Sequence, residues 1–163
     1  MTMTTNQWIL LAEDNANDAD LVLRTLTANQ PATQVVLATD GSVALDCLYR
    51  RGAFESRGDG QPAIVLLDLK MPKVEGLEVL KKIKADDQLK SIPVVMFTSS
   101  REEQDILRSY QFGANAYVVK PVEFQQFVAT LQGLRSFWMT VNEPPPDGGR
   151  QTRSNETQVA TAA

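Results

Sequence analysis

Five unbroken apolar runs punctuate the chain, at residues 8–12, 35–38, 64–67, 92–97 and 116–119. None alternates with polar residues, which is the pattern of strands buried on both faces. Between the runs, apolar residues recur three and four positions apart, the spacing of one helix face. Leu21, Val22, Leu23 and Leu26 form the first such stripe, and Val43, Ala44, Cys47 and Leu48 the second. Leu77, Val79, Leu80 and Ile83 form a third. Over residues 122–139 the stripe is Phe124, Phe127, Val128, Leu131, Leu134 and Trp138.

Local signals mark the boundaries. Asn15 or Asn17 can cap the first helix, and Gln30-Pro31 stops it. Asp40-Gly41 turns the chain, and residues 52–62 carry four glycines or prolines and read as a loop. Met71-Pro72 and Gly76 separate the third strand from its helix. Ser99-x-x-Glu102 and Ser100-x-x-Glu103 are two candidate capping boxes for a helix that Gly113-Ala114-Asn115 ends.

Strand and helix thus alternate five times. That order predicts an α/β fold, a doubly wound parallel sheet covered by helices on both faces. The expected strand order is flavodoxin-like, 2-1-3-4-5, which sets the first and third strands side by side at the switch point. Ligands of such sheets bind at the carboxyl ends of the strands. Four polar groups stand there: Glu13-Asp14, Asp68, Thr98 and Lys120-Pro121.

Composition narrows the chemistry. The chain has 163 residues, 43% of them hydrophobic, enough for one domain with a real core. Its net charge of −4 and lack of a basic block argue against bulk attraction to nucleic acid or anionic membrane. No apolar run approaches the ~20 residues of a membrane span. The first basic residue is Arg24, so no secretory signal is expected and cytoplasmic residence is. Cys47 stands alone and reads as a small apolar residue on a helix. There is no histidine, which excludes His-dependent triads, His-containing zinc sites and a phosphohistidine on this chain.

Three carboxylates in one pocket repel unless a cation balances them, and Mg²⁺ suits hard oxygen ligands. Asp68, placed centrally, can attack phosphorus to give an acyl phosphate. Phosphoryl transfer needs positioning and charge neutralisation above all. Mg²⁺ and Lys120 would supply positive charge, and Thr98 a hydrogen bond.

These pieces together resemble the receiver domain of two-component response regulators. The matching residues are Leu-Leu-Ala-Glu-Asp-Asn from Leu10, Leu-Leu-Asp-Leu-Lys-Met-Pro from Leu66, Gly76, Val-Met-Phe-Thr-Ser-Ser from Val95, Gly113-Ala114 and Val-Val-Lys-Pro from Val118. The resemblance implies Asp68 as phosphoacceptor, with Mg²⁺ on Glu13, Asp14, Asp68 and the backbone carbonyl of Lys70. It implies Lys120 as the phosphate-binding cation, Thr98 as the switch hydroxyl, and Tyr117 as the aromatic that changes position with it. It further implies a cis Lys120–Pro121 bond, and a role for Lys70 and Ser100 in tuning dephosphorylation. A sensor histidine kinase would donate the phosphoryl group, and the face built from the fourth helix, fifth strand and last helix would change shape.

A narrower resemblance is to single-domain regulators paired with cyanobacterial and bacterial phytochromes. It rests on Asn15-x-x-Asp18, the Gly-rich loop before the third strand, Ile-Pro-Val-Val from Ile92, and Ser136-Phe137-Trp138. It implies a phytochrome-type kinase and a homodimer through the surface of the last helix and fifth strand. Phe137, Trp138 and Met139 run beyond the expected sheet, and the exposed patch expected there puts Phe137 and Trp138 at an interface. The expected organisation is a flexible start over residues 1–7, a receiver domain over 8–139, and a disordered tail over 140–163 with no effector domain.

Other functions fit less well. A phosphorelay intermediate passing the phosphoryl group to another protein shares every residue named and stays open. A metal-dependent phosphohydrolase of the haloacid-dehalogenase kind wants Asp-x-Asp, whereas Asp68-Leu69-Lys70 stands here. A flavin-binding domain would want a Gly-rich phosphate loop where Glu-Asp-Asn-Ala-Asn follows the first strand. A DNA-binding regulator would need a helix-turn-helix module, and the residues after Met139 do not supply one.

Overall fold

The computed structural model describes residues 7–28, 30, 32–58 and 60–146. The expected terminal segments fall mostly outside the described residues, as does Pro31. The elements alternate in chain order: β1 (Trp8–Ala12), α1 (Ala16–Thr27), β2 (Gln34–Ala38), α2 (Gly41–Tyr49), β3 (Ile64–Leu67), α3 (Gly76–Ala85), β4 (Val94–Thr98), α4 (Glu103–Gln111), β5 (Ala116–Val119) and α5 (Phe124–Ser136). All sheet pairings are parallel, in the order β2-β1-β3-β4-β5.

The unbroken apolar runs have their reason in the packing. Every residue of β1, β3 and β4 is buried. Successive side chains leave opposite faces of a strand. Trp8, Leu10, Val65, Leu67, Val94 and Met96 pack on one side with Ala44, Leu48, Leu80 and Ile83 from α2 and α3. Ile9, Leu11, Ile64, Leu66, Val95 and Phe97 pack on the other with Val22, Leu26, Phe127 and Leu131 from α1 and α5. Phe97 and Phe127 meet edge to face at 5.4 Å, joining β4 to α5.

Several boundaries differ from those the sequence predicts. The fourth strand begins at Val94, because Ile92 is bound into the turn through its amide to the Leu89 carbonyl. Neither capping box forms at α4. Its N-cap is Glu102, without a side-chain cap, and Ser100 Oγ instead donates to Asp105 Oδ2 at 2.6 Å. The loop over 52–62 holds a short 3₁₀ turn, Gly52–Phe54. The first helix takes Asn15 as its cap, its side chain accepting from the Asp18 amide at 2.9 Å. Its buried stripe is Ala19, Val22, Thr25 and Leu26, with Leu21 and Leu23 half-buried at its flanks.

The last helix starts at Phe124, two residues after Val122, and Phe124 itself is exposed. It continues into a π-helical turn, Phe137–Val141. There Trp138 and Met139 lie half-buried against the α1/α5 side of the core. They are therefore not an open patch; Phe137 and Val141 are the exposed apolar groups. Arg135 Nη1 donates to the Leu26 and Ala28 carbonyls at 3.0 and 3.3 Å, satisfying the carbonyl end of α1. The Lys120–Pro121 bond is trans, as are all peptide bonds of the described residues. For an X–Pro bond the trans form is the lower in energy.

Candidate functional site

The sheet register brings the polar groups together. Ala12 pairs with Leu67, so Glu13 and Asp68 emerge side by side from β1 and β3. The Asp68 amide donates to the Ala12 carbonyl, and the Glu13 amide to the Ala38 carbonyl. Thr98 ends β4 beside Val119, and the Lys120 amide donates to the Thr98 carbonyl at 2.7 Å. Each side chain thus leaves from a backbone already fixed by sheet hydrogen bonds.

Gly76 completes the position of Asp68. Its amide donates to the Leu69 carbonyl at 2.8 Å, folding the loop after β3 back on itself. A Cβ at Gly76 would overlap the Asp68 carbonyl oxygen, so only glycine fits this close approach.

Carboxylate oxygens of Glu13, Asp14 and Asp68 all lie within 4.8 Å of one another. Glu13 is buried, Asp68 half-buried and Asp14 exposed, so the cluster opens from the core to solvent. This hard-oxygen set with an open side fits a Mg²⁺-sized ion that retains waters. Lys70 lines an adjoining cleft of about 330 Å³ with Asp68, Thr98, Ser99, Ser100, Arg101 and Glu102.

Lys120 Nζ sits among the acids. It lies 2.6 Å from Glu13 Oε2, 2.9 Å from Asp18 Oδ2 and 3.2 Å from Asp68 Oδ2. Burial alone would lower its pKa, but hydrogen bonds to Glu13 and Asp18 and the charge of Asp68 reverse that and raise it. The ammonium stays protonated. Burial pushes the Glu13 carboxyl up to about 7; the Lys120 hydrogen bond opposes this and the Asp68 charge adds to it. Glu13 Oε1 also accepts from the Asn15 amide at 3.0 Å, and Asp68 Oδ1 from the Leu69 amide at 2.7 Å.

On the β4/β5 side, Thr98 is 2% exposed, and its hydroxyl oxygen is 3.4 Å from the Ser100 amide. The half-buried Tyr117 ring packs against the α2/α3 side of the core. Its hydroxyl donates to the Ser100 carbonyl at 2.9 Å. Burial raises the phenol pKa, so the hydroxyl remains a donor. A chain of contacts therefore runs from Thr98 through Ser100 to Tyr117 and Asp105. Phe137 and Trp138 stand apart from this site, edge to face at 5.0 Å.

Glu13, Asp14, Asp68, Thr98 and Lys120 come together at the carboxyl ends of the strands, where their places after the apolar runs predict them. That pattern assigns Asp18 no chemical part. The Asn15-x-x-Asp18 spacing was a visible sign, but the partner of Asp18 lies 102 residues away.

The chain is similar to known proteins over most of its length. The family profile described as the response regulator receiver domain matches residues 9–132. The response regulator Rcp1 of a Synechocystis species is 37% identical over 137 residues, covering 83% of this chain and 92% of its own. A crystal structure of its Mn²⁺-bound form superposes with a TM-score of 0.79 at 35% identity, covering 86% and 99% of the two chains. The phosphorylated cyanobacterial phytochrome response regulator RcpA superposes with a TM-score of 0.82 at 34% identity, covering 87% and 100%. The bacteriophytochrome response regulator AtBRR is 56% identical, with a TM-score of 0.67 and 84% and 98% covered. With its fold, its acidic pocket and these relatives, the chain belongs to the response regulator receiver domain family, close to the phytochrome response regulators.

Proposed function

We propose that this protein is a phosphorylation switch that accepts a phosphoryl group on Asp68 from a sensor histidine kinase of phytochrome type. The observation that carries the reading is the meeting of Asp68, Lys120, Glu13 and Asp14 at the carboxyl ends of β1, β3 and β5. An Asp68 carboxylate oxygen attacks the phosphorus of the kinase phosphohistidine. A P–O bond forms, the P–N bond breaks, and the imidazole leaves with the electron pair and takes up a proton. Hydrolysis of the acyl phosphate later restores Asp68. The receiver itself promotes both steps, without being an enzyme in the ordinary sense.

Glu13, Asp14, Asp68 and the Lys70 carbonyl would hold Mg²⁺, which supplies positive charge to the phosphoryl oxygens. Lys120 brings an ammonium that is already desolvated and aimed at Asp68. Thr98 turns its hydroxyl to the phosphoryl group, which disturbs its contact with the Ser100 amide. Ser100 also holds Tyr117, so the two switch residues share one loop. The face of α4, β5 and α5 then changes shape. Lys70 and Ser100, both at the cleft, set how readily water reaches the acyl phosphate.

The chain acts as a stand-alone cytoplasmic receiver. Rcp1 and RcpA support the stand-alone reading, since the match spans nearly all of each. Among the described residues no helix is long and apolar enough to cross a membrane. It pairs as a homodimer through the end of α5, where Phe137 is 46% exposed beside Trp138.

The test is transfer from a purified phytochrome-type kinase carrying labelled phosphohistidine. Label should move to this protein when Mg²⁺ is present and leave Asp68→Asn unlabelled. Labelling of Asp68→Asn at the wild-type level would refute the assignment.

A further inference from the structure

Three carboxylates share the one ammonium of Lys120, and two of them already have parts in the proposed reaction. Asp68 would carry the phosphoryl group and Glu13 would help to hold the metal ion. Asp18 has neither duty, yet its Oδ2 lies 2.9 Å from Nζ, closer than Asp68.

Asp18 is the third residue of α1. A carboxylate at that position ordinarily reaches back to the amide of the N-cap residue. Here the N-cap amide, that of Asn15, donates to Glu13 Oε1 instead. The Asp18 backbone amide is satisfied by the Asn15 side chain. The Asp18 carboxylate is therefore not needed as a return cap for its own helix, and it spans α1 to the end of β5. Its side chain is 36% exposed against 8% for Lys120, so it approaches the ammonium from the solvent side of the pocket.

We propose that Asp18 is a positioning residue that holds the Lys120 ammonium and competes with the phosphoryl group for it. The proposal rests on the phosphoacceptor reading above and names a control on that same site. A phosphoryl group brings roughly −1.5 to −2 charges to Asp68. Its hold on Lys120 is weakened by any carboxylate that keeps a claim on Nζ. Asp18 thus sets how fully Lys120 commits to the phosphorylated state, and opposes that state.

Asp18→Asn removes the charge and keeps both size and an amide oxygen that accepts from Nζ. Asp20→Asn on the same helix makes the same charge change at an exposed residue paired with Arg24, away from Lys120. Titration with beryllofluoride, a phosphoryl mimic, in saturating Mg²⁺ should show about two- to fivefold tighter binding for Asp18→Asn, the range open to a part-exposed ion pair. Asp20→Asn should match wild type. The Lys120 ¹³Cε resonance, assigned by its loss in Lys120→Met, should shift in Asp18→Asn and stay in place in Asp20→Asn. A role confined to capping α1 would not move that resonance.

Unchanged or weaker beryllofluoride binding in Asp18→Asn, with wild type binding normally, would overturn this proposal alone. An equal gain in Asp20→Asn would also overturn it, since the effect would then be general charge. Failure of wild type to bind beryllofluoride at all would overturn the phosphoacceptor reading and this proposal with it.

Discussion

Glu13 shows how one side chain carries both the cost and the purpose of the pocket. It is 1% exposed, next to a second carboxylate, and its carboxyl is pushed up to about 7 from an ordinary value of 4.5. The folded state therefore binds a proton that the unfolded chain has released between those values. Stability from this group is full below pH 4.5 and is lost as pH rises to about 7. Thermal melts without divalent ions should show that loss in wild type and a flatter profile in Glu13→Gln. Identical pH profiles would contradict it. Gly76 makes a steric prediction at the same scale. Gly76→Ala forces the loop off the Asp68 carbonyl and should cost ~2 kcal/mol in denaturant unfolding, as overpacking does. A loss below ~0.5 kcal/mol would mean that the loop yields without strain. Single residues were legible in the sequence where an apolar run ended in a polar group, as at Asp68 and Thr98. Asp18 was not, because helix-start carboxylates are common and its partner is set by tertiary packing.

Among the elements, strands were the most legible. β1, β3 and β4 are covered on both faces, so their sequences leave little room for another reading. The helix before β5 was the least legible. α4 has a single buried residue, Ser109, and exposes Leu107 and Tyr110. With so little tertiary burial its start is decided by local competition, and Ser100 bonds to Asp105 rather than capping the first turn. The same weakness suits the change of shape proposed for the α4 face. Hydrogen exchange should show α4 amides opening faster than those of α3, which buries Val79, Leu80 and Ile83. Equal protection of the two helices would remove α4 as the mobile part of the switch. The end of α5 was legible only in part, for a related reason. A stripe of apolar residues says that a helix face is covered, but not by what, and Trp138 turns out to cover the protein's own core.

At the scale of the whole molecule, the five β-α repeats were enough to predict the sheet order, because parallel strands joined by helices permit few arrangements. Assembly was less legible, since it depends on which apolar groups remain outside. Phe137 is the cleaner probe of the proposed dimer, because Trp138 also serves the core. Phe137→Ala should shift the sedimentation profile toward monomer with unfolding unchanged within ~1 kcal/mol. A profile identical to wild type would count against this interface. Phosphoryl chemistry in the pocket at the carboxyl end of the sheet can be read by weighing the intact protein after incubation with a small acyl phosphate. One added phosphoryl group is expected, dependent on Mg²⁺ and absent from Asp68→Asn. A phosphoryl group that appears without Mg²⁺, or that persists in Asp68→Asn, would contradict it.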